Sequence, residues 1–391
     1  MPDGRPRRLI YNSDSTNMLM GGGPISPSDL TRRVDEICRR CVTTLFLSPN
    51  AGMKMICPTR VSEMLTPESV RDPVLDRSPP DLSPEVLNKG WRERLVRDRL
   101  IHSQVARNIR SLLRAGCDPL ELMIKRAKDR GLETFVSFRL NEVHNVEQPD
   151  SPIVSRFWRE HPGWRLGRPG DPLPELHREI IGPRVNPIVQ YWLPGALNFA
   201  VDGVRRHRLA QLREICQKYP VDGLDLDFQR FPAYFPLGEE ERYRDVMTGW
   251  IEQVKLMVEE IAQRRGRRIL LSARITARPE QNEGLGLDPV TWVHEGLIDF
   301  LTVSHYLRND FPLPIGEYRR TVPKETPLYA SIEYERDPER YRCIARRLWR
   351  DGVDGIMVFN FFAAREEGRE PRFDLLCEIG SPDLPDPQRE E

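Results

Sequence analysis

Apolar and polar positions along the chain switch repeatedly between a period of two and a period near 3.6, the marks of strand and helix. Short β-rich runs fall at residues 8–12, 42–47, 133–140, 221–229, 269–275, 297–304, 328–334 and 355–361. Between them lie amphipathic helical patterns. One starts at Ser28 or Asp29 and runs to Arg40, and others cover 103–115, 118–130, 204–219, 239–264, 315–321 and 337–351. Asp118-Pro119, Asp288-Pro289 and Asp337-Pro338 are helix starts, with Asp as cap and Pro at the first helical position. Residues 53–100 and 146–196 carry no sustained period and are expected to be long loops after strands two and three. The first of these is Pro-rich around Ser78-Pro79-Pro80-Asp81. Strict alternation of eight strands with helices predicts an α/β fold, a single (β/α)₈ TIM barrel. The barrel is expected over residues 1–378, with 379–391 as a Pro- and acid-rich tail. An open doubly wound sheet is the alternative, but no glycine fingerprint of a dinucleotide site follows the first strand.

The fourth run breaks the rule for a buried parallel strand, which reads apolar on both faces. Leu224, Leu226 and Phe228 share one face; Asp225, Asp227 and Gln229 share the other. Two carboxylates two residues apart on a strand point the same way, about 6–7 Å apart along the chain. Such acids either cap or pair structurally or belong to a site.

In a barrel, side chains at the C-terminal strand ends converge on one mouth. Here those ends supply Asn12, Asn50, Arg139, Asn141, Glu142, His144, Asp225, Asp227, Arg274, His305, Tyr306, Glu333 and Asn360. Each has a structural explanation taken singly; His144 or His305 could be a satisfied core histidine. Together they are rich in carboxylates and lack a nucleophilic Ser or Cys with a base. Two carboxylates across a pocket are the equipment of glycoside hydrolysis, one protonating the leaving oxygen and the other attacking or activating water. Asp227 and Glu333 are the expected pair, with Glu335 as rival to Glu333. Asp225 is expected to raise the proton affinity of Asp227 by like charge, with Arg230 or Arg274 holding Asp225 ionised. Arg139, Asn141, Glu142, His144, Arg230, Arg274, His305, Tyr306, Trp192 and Asn360 are the expected substrate contacts. Phe157, Trp158, Trp164, Tyr191 and Trp192 in the third loop are either that loop's private core or a stacking surface for a sugar ring. A metal site from Asp225, Asp227, His144 and His305 is an alternative, but no short ligand signature supports it. No metal and no cofactor are expected.

Lys+Arg and Asp+Glu both number 59, a formal net charge of zero, which argues against nucleic acid or an anionic membrane as partner. No apolar run reaches the roughly 20 residues of a membrane span, and the start lacks a secretory signal. Seven scattered cysteines, with Cys38-x-x-Cys41 the only close pair, suggest no disulfide framework and a reducing compartment. The expected location is therefore cytoplasmic and the expected partner a carbohydrate.

Three segments carry a family resemblance. Asp118-Pro119-Leu120 through Gly131-Leu132-Glu133, then Leu197-Asn198-Phe199-Ala200, then Val221 to Asp227 with Arg230-Phe231-Pro232, resemble the glycosyl-hydrolase-like family 10 proteins. These are bacterial (β/α)₈ barrels related to glycosidases, and the resemblance covers roughly residues 8–365. It implies hydrolysis of a glycan, with Asp227 matching the strand-four acid. Many members are exported, whereas this sequence shows no signal peptide. A second resemblance is to the chitinase-type signature, through Asp222-x-x-Asp225-x-Asp227-x-Gln229. That signature ends in a glutamate acid, so Gln229 in its place implies a sugar-binding relative without activity. A non-catalytic carbohydrate-binding barrel is thus the second reading.

Overall fold

The computed structural model describes residues 5–21, 23–38, 41–70, 91–148, 150–182, 187–361 and 370–383. Eight parallel strands close into a barrel: β1 Arg8–Ser13, β2 Thr44–Leu47, β3 Glu133–Arg139, β4 Gly223–Asp227, β5 Leu270–Thr276, β6 Phe300–Ser304, β7 Leu328–Ile332 and β8 Gly355–Phe359. They pair in chain order, and β8 closes on β1. The barrel expectation holds, and so do the aspartate caps. Asp118 accepts from the amides of Leu120 and Glu121, Asp288 from Thr291, and Asp337 from Glu339.

Three local expectations are corrected. The first helix is capped by Ser26, not Ser28 or Asp29, and covers Pro27–Ile37. Ser26 accepts from the Asp29 amide while the Asp29 carboxylate takes the Ser26 amide, a reciprocal box. The helix expected over 103–115 already begins at Trp91, in Trp91–Arg114. The third loop carries short helices at Arg156–Glu160, Glu175–Ile181 and Pro187–Trp192. The prolines around Ser78 and the end of the tail lie outside the described residues.

The cysteine expectation is corrected as well. Cys41 is bonded to Cys377, with 4.9 Å between their α-carbons. The bond ties the turn before β2 to the C-terminal helix Asp374–Ile379, so the cysteines no longer argue for a reducing compartment. Cys38 stays a free thiol, pushed up to about 12 by burial and by Asp35. Among the described residues, no helix is long and apolar enough to cross a membrane.

The barrel interior is layered by height. At the bottom, Arg8 is held by Glu133 (2.6 Å) and the Tyr329 hydroxyl (2.7 Å). Above it Ile10, Phe46, Phe135, Phe300, Tyr329 and Met357 form a closed apolar plug, separate from the core under the helices. Glycine is required beside this plug. A β-carbon on Gly223 would stand 2.0 Å from the Phe135 ring, and one on Gly355 would stand 2.0 Å from the Arg8 carbonyl. The plug leaves the next two layers, toward the C-terminal mouth, to polar side chains.

Candidate active site

Strand register puts the polar side chains at shared heights. Ser137, Asp225 and Ser272 are neighbours across β3, β4 and β5; one step higher, so are Arg139, Asp227 and Arg274. In the lower tier, the Ser137 and Ser272 hydroxyls each donate to Asp225 at 2.7 Å. Burial, then the nearby Asp227, pushes the Asp225 carboxyl up to about 7, against the pull of the two hydroxyls.

In the upper tier, Arg274 grips two acids at once. Its Nη2 donates to both oxygens of Glu333 at 2.7 and 2.8 Å, and its Nη1 to Asp227 at 3.2 and 3.3 Å. The guanidinium lies over the Phe359 ring, 4.0 Å from its centroid. Arg274 and Asp227 are each 1 % exposed and Glu333 is fully buried. Glu333 follows the end of β7 and is held by Asn309, whose side chain takes the Glu333 amide and donates to its carbonyl. Glu335 pairs with Arg340 at 3.0 Å and takes the Arg336 amide, away from Arg274.

A second chain of charges crosses the mouth from β1 to β4. Arg139 pairs with Asp14 and, at 3.3 Å, with Glu142. Glu142 also binds Nδ1 of His144, and the other ring nitrogen faces Nη2 of Arg230 at 3.1 Å. Arg230 can only donate, so Nε2 of His144 must accept and Nδ1 must carry the proton to Glu142. Burial holds the His144 imidazole below its ordinary range, against the pull of Glu142, in keeping with that neutral tautomer. Burial opposes the charge on Glu142, but His144 and Arg139 hold its carboxyl below the usual carboxylate range.

Neither Arg230 nor Arg274 is hydrogen-bonded to Asp225. Arg274 pairs with Asp227 and Glu333 and acts on Asp225 through its charge, favouring the ionised form against burial, while Arg230 is bonded to His144.

Other expected contacts sort by what they touch. Asn141 is a loop staple, donating to the carbonyls of Leu197 (2.8 Å) and Ala233 (2.5 Å) and taking the Leu197 amide (2.9 Å). Trp192 donates to Glu147 and forms a wall, edge-on to His144 and Phe231. Tyr306 is buried against Phe231, and its hydroxyl has no partner. His305 is partly exposed, and Asn360 ends β8 in the left-handed region, φ 55°. The remaining loop aromatics pack against the main core under the helices rather than forming a core private to the loop. Phe157 stacks on His207, Trp164 on His161, and Arg165 covers Trp158. Gln229 turns away from the mouth, donating to the carbonyls of Ile275 (2.8 Å) and Ser304 (2.5 Å). Among the described residues, no three His, Cys, Asp or Glu side chains are grouped as a metal ion requires.

Sequence reasoning missed Ser137, Ser272, Asn309, Asp14 and Phe359. The two serines were findable: each shares parity and height with Asp225 on a neighbouring strand. Asp14 and Asn309 lie beyond strand ends, where no period places them.

Ring closure and strand order define a (β/α)₈ barrel, with charged side chains gathered at its C-terminal mouth. No protein-family model matches the chain, and no curated protein matches its sequence. Solved structures do match its fold. The glycoside hydrolase domain of PgaB (BpsB) from Bordetella bronchiseptica aligns at 11 % identity and a TM-score of 0.50, over 96 % of this chain and 99 % of that one. Alpha-L-fucosidase isoenzyme 2 from Paenibacillus thiaminolyticus aligns at 11 % identity and a TM-score of 0.52, over 95 % of this chain and 48 % of that one. At these identities the likeness is one of fold.

Proposed function

We propose that the protein is a glycoside hydrolase that cleaves a glycan at the C-terminal mouth of the barrel, with Asp227 and Glu333 as the reacting carboxylates. One observation carries this reading: acids from β4 and from the end of β7, three places apart in the ring, meet on a single guanidinium. That bridge holds Asp227 on one guanidinium nitrogen at 3.2 Å and Glu333 on the other at 2.7 Å. Asp227 protonates the departing oxygen, and Glu333 attacks the anomeric carbon or activates water. Asp225, on the same strand face, is pushed up to about 7 by burial and then by the nearby Asp227, and its two oxygens are held by Ser137 and Ser272. Arg274 then stabilises the carboxylate that Asp227 becomes as it gives its proton to the leaving oxygen. The resemblance of the strand-four segment to glycosyl-hydrolase-like family 10 proteins agrees with this role for Asp227.

A non-catalytic carbohydrate-binding barrel is the second reading. It is favoured by the mutual satisfaction of Asp227, Arg274 and Glu333 out of contact with water, and by Gln229 locked onto backbone carbonyls. Release of reducing ends from a glycan panel decides between them. The hydrolase reading expects turnover in the wild type and a loss of about a thousandfold or more in Asp227→Asn, the scale on which losing a reacting group is felt. Binding by calorimetry without turnover over days supports the second reading, and full activity in Asp227→Asn removes Asp227 from its role.

A further inference from the structure

Arg230 is the odd cation of the mouth. Its side chain is 7 % exposed, yet among the described residues no carboxylate lies within 4 Å of it. Its single hydrogen bond goes to the neutral Nε2 of His144, and its Nε is buried without a partner. The neighbouring acids are already taken. Asp14 and Glu142 pair with Arg139, and Asp227 and Glu333 pair with Arg274. The remaining surroundings of the guanidinium are the rings of Phe231 and Phe359, at 4.9 and 5.9 Å from their centroids. Glu142 reaches Arg230 through its charge alone, so the fork of the guanidinium has no carboxylate in direct contact, and a planar fork of this kind suits bidentate recognition of a carboxylate.

A second donor borders the same Phe231 ring. Among the described residues the Tyr306 hydroxyl is buried without a hydrogen-bond partner, its ring centroid lies 6.2 Å from that of Phe231, and Arg230 is among the charges that act on it. Solvent reaches this corner at His144, whose side chain is 27 % exposed. His144 is in turn fixed by Glu142, so Arg230 is held in orientation by a two-step relay. Such preorganisation suits a planar anion that a guanidinium can take side-on.

Building on the hydrolase reading, we propose that the sugar bound at this mouth carries a carboxylate, as in a uronic acid, which pairs with Arg230 and accepts from Tyr306. Neutral sugars offer these donors only uncharged hydroxyl oxygens, which bind a guanidinium more weakly than a carboxylate does, so the site favours the acid.

An array of neutral, uronate-bearing and sulfated glycans tests this, together with uronate oligosaccharides and their carboxyl-reduced, neutral counterparts in calorimetry. The expected result is capture of uronate glycans, with affinity about tenfold or more weaker for the carboxyl-reduced counterpart. Arg230→Gln loses that preference, and Arg230→Lys, which keeps the charge without the fork, retains part of it. If Arg230→Gln does not fold, the wild-type comparison of each uronate with its reduced form still decides. Equal binding of the two forms, capture of sulfated glycans alone, or an unchanged preference in a folded Arg230→Gln overturns the proposal. Turnover of neutral glycans without uronates overturns it and leaves the hydrolase reading standing; no capture and no turnover of any glycan removes both.

Discussion

Replacing Arg274 by glutamine isolates what the shared guanidinium does. The wild-type side chain makes four close contacts to Asp227 and Glu333, and all three groups are all but sealed from water. Glutamine leaves two carboxylates facing each other without a cation. Removing one partner from a buried ion pair costs about 3–5 kcal/mol, because the remaining charge is left uncompensated. The deficit has a pH signature. In the variant, burial and like charge raise the proton affinity of the two acids in the folded state above the unfolded value. A group so raised favours folding at low pH and loses that advantage as pH rises through its folded value. The stability deficit of Arg274→Gln is therefore small near pH 4 and grows toward pH 7–8. Urea melts at a series of pH values measure it, and the double variant Arg274→Gln/Glu333→Gln recovers part of it by removing one of the two charges. A deficit under about 1 kcal/mol that does not vary with pH, or no recovery in the double variant, refutes the reasoning.

Other consequences are as specific. Asp225, pushed up to about 7, contributes stability below its unfolded value near 4 that drains away as pH rises to 7, at about 1.4 kcal/mol per unit; Asp225→Asn flattens that slope in the same melts. Gly223→Ala drives a methyl into the Phe135 ring and costs about 1–3 kcal/mol, partly recovered by Phe135→Leu, as thermal melts of the single and double variants will show. Peptide mapping without reductant finds Cys41 linked to Cys377, and Cys41→Ser lowers stability by about 2–5 kcal/mol in urea, a scale set by the long loop the bond closes.

Much of this architecture was legible in the chain because period and parity are local properties. Alternation put Asp225 and Asp227 on the interior face, and the same parity put Arg139 and Arg274 at the height of Asp227 once register is known. Ion-pair choice is not local. Nothing in the string of residues distinguishes Arg274 serving Glu333, 59 positions away, from Arg274 serving Asp225. Asn141 read as a substrate contact because it follows a strand, yet its amide is spent on loop carbonyls that only the folded chain brings near. The Cys41–Cys377 link spans 336 positions, beyond any spacing rule. The early start of Trp91–Arg114 was hidden by a run rich in Arg, in which Val96 and Leu100 stay exposed and mark no buried face.

The account stands on Asp227 and Glu333 acting as one unit. Reducing-end release by wild type, Asp227→Asn, Glu333→Gln and the double variant measures this most directly. The expected result is turnover in the wild type, severe loss in each single variant, and a double variant hardly worse than either alone, as for residues that share one step. Full wild-type rates in either single variant, or losses that simply multiply in the double, contradict it.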